Sequence, residues 1–368
     1  MHYHIILTTK CNSQCKYCYE KSMNDFDIDI EQKVDLDLSA PESSKVNVKD
    51  LKKFIGKDKN PVIIFYGGEP LLQINKIKEI MDNIDVPYRM QTNGKLLDKI
   101  QREYLNRLDK ILVSIDGDQK ITDDNRGKGT YNLILKNISL IKENGYAGEI
   151  VARMTLSMES PDIYEKVLHL INIGFSSIHW QIDAGFYAFD YDKEKFSLFV
   201  EEYNISITKL IDYWIECMKN KKVLKLYPFV GIVNSLLKDE KTSLRCGAGH
   251  SGYAIRTDGK IMACPIMTWI KDFVSGDLDS DPKDLAQFGM SERCASCDIK
   301  DICGGRCLYW NYLKLWPEEG NQLICKTIEH LVSELKNRMP EIKDLIKNGQ
   351  INYIDFEYEK YFGPEIIP

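Results

Sequence analysis

Short apolar runs and amphipathic stretches alternate from residue 3 to about 185, the pattern of repeated strand-helix units built on a parallel sheet. The runs predict strands at 3–9, 61–66, 87–92, 109–115, 149–157 and 177–183. Stretches of helical period between them predict helices at 48–56, 75–84, 96–107, 130–144 and 161–173, the last opened by Ser160 as cap with Pro161 in its first turn. Six such strands predict an α/β fold, a partial (β/α)6 TIM-like barrel whose chemistry sits at the C-terminal strand ends. One stretch departs from this order: 26–30 and 34–38 both alternate apolar and acidic residues, which predicts an inserted hairpin at 26–38. A long helix at 192–220 closes the first region and 221–245 reads as a bridge. Residues 253–263, with Thr257-Asp258-Gly259 at the turn, predict a second hairpin.

Size and charge narrow the picture. A chain of 368 residues predicts one large domain and a smaller one, drawn here as a barrel over 1–220, the bridge, a cysteine-rich domain over 246–335 and a C-terminal helix and tail over 336–368. No apolar run reaches the roughly 20 residues that span a bilayer. The start is too short in apolar residues for a signal peptide and runs straight into cysteines, so the expected location is the cytoplasm, with no membrane partner. A formal charge of −6 argues against a sequence-independent grip on phosphates, and nucleic acid is set aside as a partner.

Eleven cysteines without an export signal read as metal ligands rather than a disulfide framework, because the cytosol keeps thiols reduced. Cys217 alone belongs to no spacing and is expected to be a buried core thiol. Cys11, Cys15 and Cys18 give C-x3-C-x2-C directly after the first strand. Three thiolates leave one iron of a four-iron cubane open to an exogenous chelator. The competing zinc knuckle needs a fourth ligand, and none lies beside these three. The second group comprises Cys246 and Cys264, then Cys294-x2-Cys297-x5-Cys303-x3-Cys307, then Cys325. Its middle block arises by chance about 3 times in 10,000 at this composition, against about once in a hundred for the first spacing, so it is the stronger signal. Taken alone it also fits a pair of zinc ribbons.

The first spacing, with Tyr17 before its third cysteine, resembles the signature of the radical S-adenosylmethionine superfamily. That resemblance implies a 4Fe-4S cluster whose open iron is chelated by the methionyl amine and carboxylate, and a 5'-deoxyadenosyl radical that abstracts a substrate hydrogen. It also implies roles around the barrel. Gly67-Gly68-Glu69-Pro70, after the second strand, matches the amine-binding loop, its glycines suited to close backbone approach. Asn93 ends the third strand, and Ser114 and Asp116, at the end of the fourth, are candidates for the ribose. Arg126 and Arg153 are candidates for the methionyl carboxylate, which a guanidinium suits, and Gln181 for the adenosine. Catalytic residues beyond the cluster are not identified.

The seven-cysteine array resembles the SPASM extension of the same superfamily, which implies two auxiliary 4Fe-4S clusters and three in all. By that resemblance Cys294, Cys297, Cys303 and Cys325 hold the outer cluster, and Cys246, Cys264 and Cys307 the inner one. The inner set lacks a fourth thiol, so either one iron is open, the preferred reading, or His250 closes it. An open iron suits a substrate thiolate and hence thioether formation at a peptide cysteine. Pro265 follows Cys264 where sulfatase-maturating relatives carry an acidic base, which argues against sulfatase maturation. The expected function is modification of a peptide or protein substrate, with a reductant such as ferredoxin or flavodoxin as the second partner. No leader-binding domain is expected before residue 3, so a peptide would dock on the barrel, on the 26–38 hairpin or through a separate protein. Small-molecule or cofactor maturation is the alternative enzyme reading, and an iron-sulfur electron carrier the non-enzyme one.

Overall fold

A computed structural model of the chain describes residues 1–19, 34–187, 190–363 and 367–368. In chain order the elements are β1 His2–Ile6, α1 Val48–Ile55, β2 Val62–Tyr66, α2 Ile74–Asn83, β3 Tyr88–Thr92, α3 Arg102–Leu105, β4 Leu108–Ser114, α4 Gln119–Arg126, α5 Thr130–Glu143 and β5 Glu149–Leu156. There follow α6 Ile163–Asn172, β6 Ser177–Ile182, α7 Lys193–Lys219, β7 Lys225–Leu226, α8 Tyr227–Lys238, β8 Gly252–Ile255, β9 Ile261–Met262 and β10 Val274–Gly276. The last helices are α9 Glu292–Ala295, α10 Lys300–Cys303, α11 Leu308–Leu313 and α12 Glu318–Lys347. All six strands of the expected α/β repeat are present, each within about a residue or two of its expected ends except β1, which stops at Ile6.

The chain divides into two compact units, Met1–Arg153 with Gly247–Gly289, and Met154–Cys246 with Met290–Pro368. In the first unit β1 to β5 pair in parallel in chain order. Such strands are covered on both faces and read as continuous apolar runs, as Val62-Ile63-Ile64-Phe65-Tyr66 does. Ile5, Ile63, Phe65, Met90, Ile111 and Val113 are wholly buried, and Phe65 stacks on Tyr88 at 5.4 Å. Helix α1 shows why its residues wind: Asn47 caps it by accepting from the Lys49 N–H, and Val48, Leu51, Phe54 and Ile55 bury one face.

The hairpin expected at 253–263 forms as β8 and β9, antiparallel. Its first strand also pairs in parallel with the free side of β1, from His2 opposite Gly252 to Ile5 opposite Ile255, so β10, β9 and β8 continue the sheet beyond β1. Of the hairpin expected at 26–38, residues 26–33 lie outside the described residues. Within its second arm, Leu36 makes an antiparallel bridge with Ile270. Beside it Asp37 accepts from Lys260 Nζ at 2.8 Å and Arg256 Nη2 at 2.7 Å, and these hydrogen bonds hold its carboxyl far below the usual range.

Other differences have local causes. The helix expected at 96–107 splits into a 3-10 turn at Leu97–Lys99 and the short α3, because Ile100 and Gln101 take extended backbone. Helix α6 begins at Ile163, capped by Asp162 rather than Ser160, whose hydroxyl accepts from Lys166 instead. In the second unit β6 and β7 pair in parallel, and the 221–245 bridge contains β7 and α8. Helix α12 runs 30 residues through Pro340, and its His330 lies 2.9 Å from the Thr208 hydroxyl on α7. No helix among the described residues is long and apolar enough to cross a membrane.

Candidate functional site

The C-terminal ends of β1, β2, β3 and β4 lead into four loops of the first unit, which carry Cys11 to Cys18, Gly67 to Pro70, Asn93 and Asp116. The β1 and β2 loops keep pairing after their strands end. Gly68 N–H donates to Thr8 O at 2.8 Å and Glu69 N–H to Lys10 O at 2.9 Å. A Cβ on Gly67 would come within 2.3 Å of Thr8 O, and one on Gly68 within 2.3 Å of Lys10 O. Both glycines are therefore required by close approach, as expected, but the neighbour they make room for is the chain's own segment entering the cysteine loop.

Glu69 is wholly buried and turned toward β3. Its carboxylate accepts from the Leu71 N–H at 3.1 Å, the Thr92 hydroxyl at 2.7 Å and the Asn93 N–H at 2.8 Å. Burial pushes this carboxyl up to about 7, against the pull of those donors. Because the folded chain holds the proton more tightly than an unfolded one, folding stability should be full below pH 4.5 and fall as pH rises through 7. The loss at pH 8 is roughly 3 kcal/mol, and Glu69→Gln should flatten that slope. Urea unfolding of the cluster-free protein at pH 5 and pH 8 measures both; equal slopes in the two proteins would remove Glu69 as the cause.

Asn93 passes this tie on to the cysteines, its amide donating to Asn12 Oδ1 at 2.7 Å and approaching Cys11 Sγ at 3.7 Å. At the other end of the loop a buried pair does the same work. Asp116, wholly buried, accepts from Arg126 Nε at 2.9 Å and Nη2 at 3.0 Å, a bidentate fork. The Tyr17 hydroxyl donates to Asp116 as well, and the Arg126 guanidinium lies 5.2 Å from the Tyr17 ring centre. Arg126 Nη1 reaches Cys15 Sγ at 3.9 Å. Burial alone would weaken the Arg126 charge, but Asp116, Tyr17 and Cys15 outweigh it and raise its pKa above the ordinary value. Helix α4 sets this geometry: Asp118 caps it, and it is two turns long, so its last residue returns to Asp116. Lys16 N–H donates to Asn125 O at 3.0 Å, fixing the loop to the same helix.

Asp116 and Arg126, assigned from sequence to the ribose and the methionyl carboxylate separately, are thus each other's partner. Ser114 and Arg153 face each other in the β4–β5 register and are half-buried. Gln181 lies on β6 in the second unit, also half-buried. Sequence reasoning passed over Asn12, Thr92, Asn125 and His4. The last is buried on β1 against the Tyr66 ring, and burial pushes it down to about 3, so it is neutral. The residues fit the cluster that the spacing implies. Cys11, Cys15 and Cys18 form no disulfide and share one tethered loop, and Cys11 and Cys15 face N–H donors, which stabilise thiolate sulfur.

In the second unit burial pushes the Cys303 and Cys325 thiols up to about 11, and the nearby Cys294 adds to the rise at both. Cys303-Gly304-Gly305-Arg306 turns through three successive left-handed residues, φ 69°, 85° and 53°, wrapping the N–H groups of Gly305 and Arg306 onto Cys303 Sγ. Arg293 Nη2 lies 3.9 Å from Cys325 Sγ, and Cys294 Sγ 3.3 Å from Asn311 Oδ1. Cys297 is half-buried and Cys307 buried, and Cys246 and Cys264 fall one in each unit. The His250 ring Nδ1 lies 2.9 Å from the Ser251 hydroxyl. Cys217 is half-buried on α7 rather than a core thiol, because it packs beside Tyr213, one turn earlier.

Residues 5–171 match the family model described as the Radical SAM superfamily. Over 331 residues the chain is 23% identical to the radical SAM cyclopropyl synthase TigE of Paramaledivibacter caminithermalis, spanning 83% of this chain and 67% of that protein. Identity is also 23%, over 336 residues, to a cysteine-type anaerobic sulfatase-maturating enzyme of Clostridium perfringens, covering 81% of this chain and 85% of the relative. Among solved structures, native anSMEcpe with bound AdoMet and Cp18Cys peptide superposes with a TM-score of 0.66 at 17% identity, covering 93% of this chain and 99% of that one. With the α/β fold, the cysteine loop at the end of β1 and this match, the chain belongs to the radical SAM superfamily.

Proposed function

We propose that the chain uses S-adenosylmethionine to modify a peptide or protein by hydrogen abstraction, with three 4Fe-4S clusters and a small reductant protein such as ferredoxin or flavodoxin as electron donor. The observation that carries this reading is the cysteine loop, fastened at Cys11 through Asn93 and Glu69 and at Cys15 through Arg126 and Asp116. Cys11, Cys15 and Cys18 would hold a cubane there, and that group, when bound, would supply the electron for opening the sulfonium. The chain's part is to hold three thiols at fixed positions and to direct N–H donors at their sulfurs. Tyr17, Gly67, Gly68, Glu69, Asn93, Ser114, Asp116, Arg126 and Arg153 are the candidates for cofactor contact in the first unit, with Gln181 in the second. A peptide substrate is supported by relatives that match nearly the whole chain, one of them solved with AdoMet and a peptide.

The bond put forward is a thioether at a peptide cysteine, on the strength of an inner cysteine set one thiol short: between Cys246 and Cys264 the sequence has no other cysteine. Anaerobically reconstituted protein given S-adenosylmethionine and dithionite should release 5'-deoxyadenosine without any substrate. With a cysteine-bearing peptide, mass spectrometry should find a product lighter by two hydrogens. The same product from the Cys-to-Ser peptide would discard the thioether, and absence of 5'-deoxyadenosine would discard the enzyme reading in favour of an electron carrier.

A further inference from the structure

Arg306 is among the largest fully buried side chains of the protein, with 1% of its surface exposed. Guanidinium groups are charged at every pH a folded protein survives, and burying one without a partner is among the costliest arrangements a core can contain. Yet its single hydrogen bond is from Nη2 to Ile182 O at 3.3 Å, while Nε and Nη1 have no acceptor. Among the described residues no carboxylate pairs with it. Aromatic faces flank it, with the Phe186 ring centre at 5.8 Å and the Trp310 ring centre at 5.4 Å. They soften the cost but do not neutralise the charge. Burial pushes its pKa down from the ordinary value, and the neighbours that work against that are the Cys307, Cys303 and Cys325 sulfurs and the Tyr203 phenol. Its backbone is also strained: φ is 53°, a left-handed value that a long side chain adopts only when the surroundings impose it. The Gly304-Gly305 turn imposes it, placing the Arg306 N–H on Cys303 Sγ and sending its side chain inward.

We propose that Arg306 is the built-in counter-charge of the auxiliary centre, a positioning residue whose fixed cation offsets the net negative charge of iron-sulfur held by Cys303 and Cys325, with Cys307 beside it. The inference rests on reading these cysteines as cluster ligands. A cation next to an iron-sulfur cluster favours its reduced, more negative state, since charge and hydrogen bonding around the sulfurs set its potential. It also gives a reason for a fully buried cation with two N–H groups left without acceptors. In the cluster-free chain they remain a local defect.

The test uses the full chain with Cys11, Cys15 and Cys18 changed to serine, so that only auxiliary iron is present, titrated anaerobically with dithionite and followed by EPR. Arg306→Gln should keep the size of the side chain and lower the midpoint potential by at least tenfold in the one-electron reduction equilibrium, about 59 mV. Arg306→Lys, which retains the charge, should move it less than half as far. Loss of auxiliary iron from the Gln variant with retention in the Lys variant supports the same conclusion. The proposal is overturned if the Gln variant holds its iron at an unchanged or higher potential, or if both variants lose iron alike, since shape rather than charge would then be at stake. Should serine at Cys294, Cys297, Cys303 and Cys325 leave the iron content unchanged, the cluster reading itself fails and takes this role with it, a result distinct from either of those.

Discussion

Changing Cys15 to alanine is expected to reduce 5'-deoxyadenosine release to the level of a control without enzyme, while purified protein keeps about eight of about twelve irons. The two readouts separate chemistry from assembly. A cubane already one thiol short tolerates no further vacancy, so removal of Cys15 leaves two protein ligands for four irons. None of the seven auxiliary cysteines lies on the 11–18 loop, six of them belonging to the second unit and Cys264 to the first, and they should hold their iron regardless. The change also removes the sulfur that Arg126 Nη1 faces at 3.9 Å, but Asp116 still holds the guanidinium by two hydrogen bonds, so the chain should fold. Iron falling to zero would mean that the clusters assemble as one unit. Undiminished 5'-deoxyadenosine would remove the loop from the chemistry altogether.

The strands were legible because parallel strands buried on both faces write themselves as apolar runs, as β2 does throughout and β4 does at Ile111-Leu112-Val113. The cysteine loop was legible because its spacing is local. Helix α4 was not, since Gln119 to Arg126 contains a single strongly apolar residue, and what it buries is Thr122, Asn125 and Arg126. No periodicity rule finds a helix whose inner face is polar. The parallel pairing of β8 with β1 joins residues about 250 apart in sequence, and nothing local to 252–255 announces it beyond a hairpin. The helix expected at 96–107 failed for the opposite reason: good helix formers were present, but two extended residues at Ile100 and Gln101 break them apart.

Site roles followed the same division. Gly67 and Gly68 were recognised as positions of close approach, but which backbone approaches is a tertiary fact. Glu69, Asn93, Asp116 and Arg126 were each legible as polar residues in loops where a cofactor would sit. Their mutual hydrogen bonds were not, because a carboxylate near a cofactor and one tied to a buried guanidinium look identical in sequence. Whatever else they touch, these residues also form a frame that holds the cysteines, and this frame carries a measurable energy.

Asp116→Ala should therefore destabilise the cluster-free chain by about 3–5 kcal/mol, the cost of leaving a buried charge without its partner. Arg126 is 7% exposed and could reach water only by withdrawing from the Tyr17 ring and Cys15. Arg126→Met should cost less, because Asp116 keeps donors in Asn125 and Tyr17. The double change should recover part of the loss, with a coupling of about 1–3 kcal/mol in the cycle, since the unpaired guanidinium is then gone. Urea unfolding at constant pH measures all four proteins. Additive losses would show that Asp116 and Arg126 act independently, and the pair would then not be what fastens the cysteine loop.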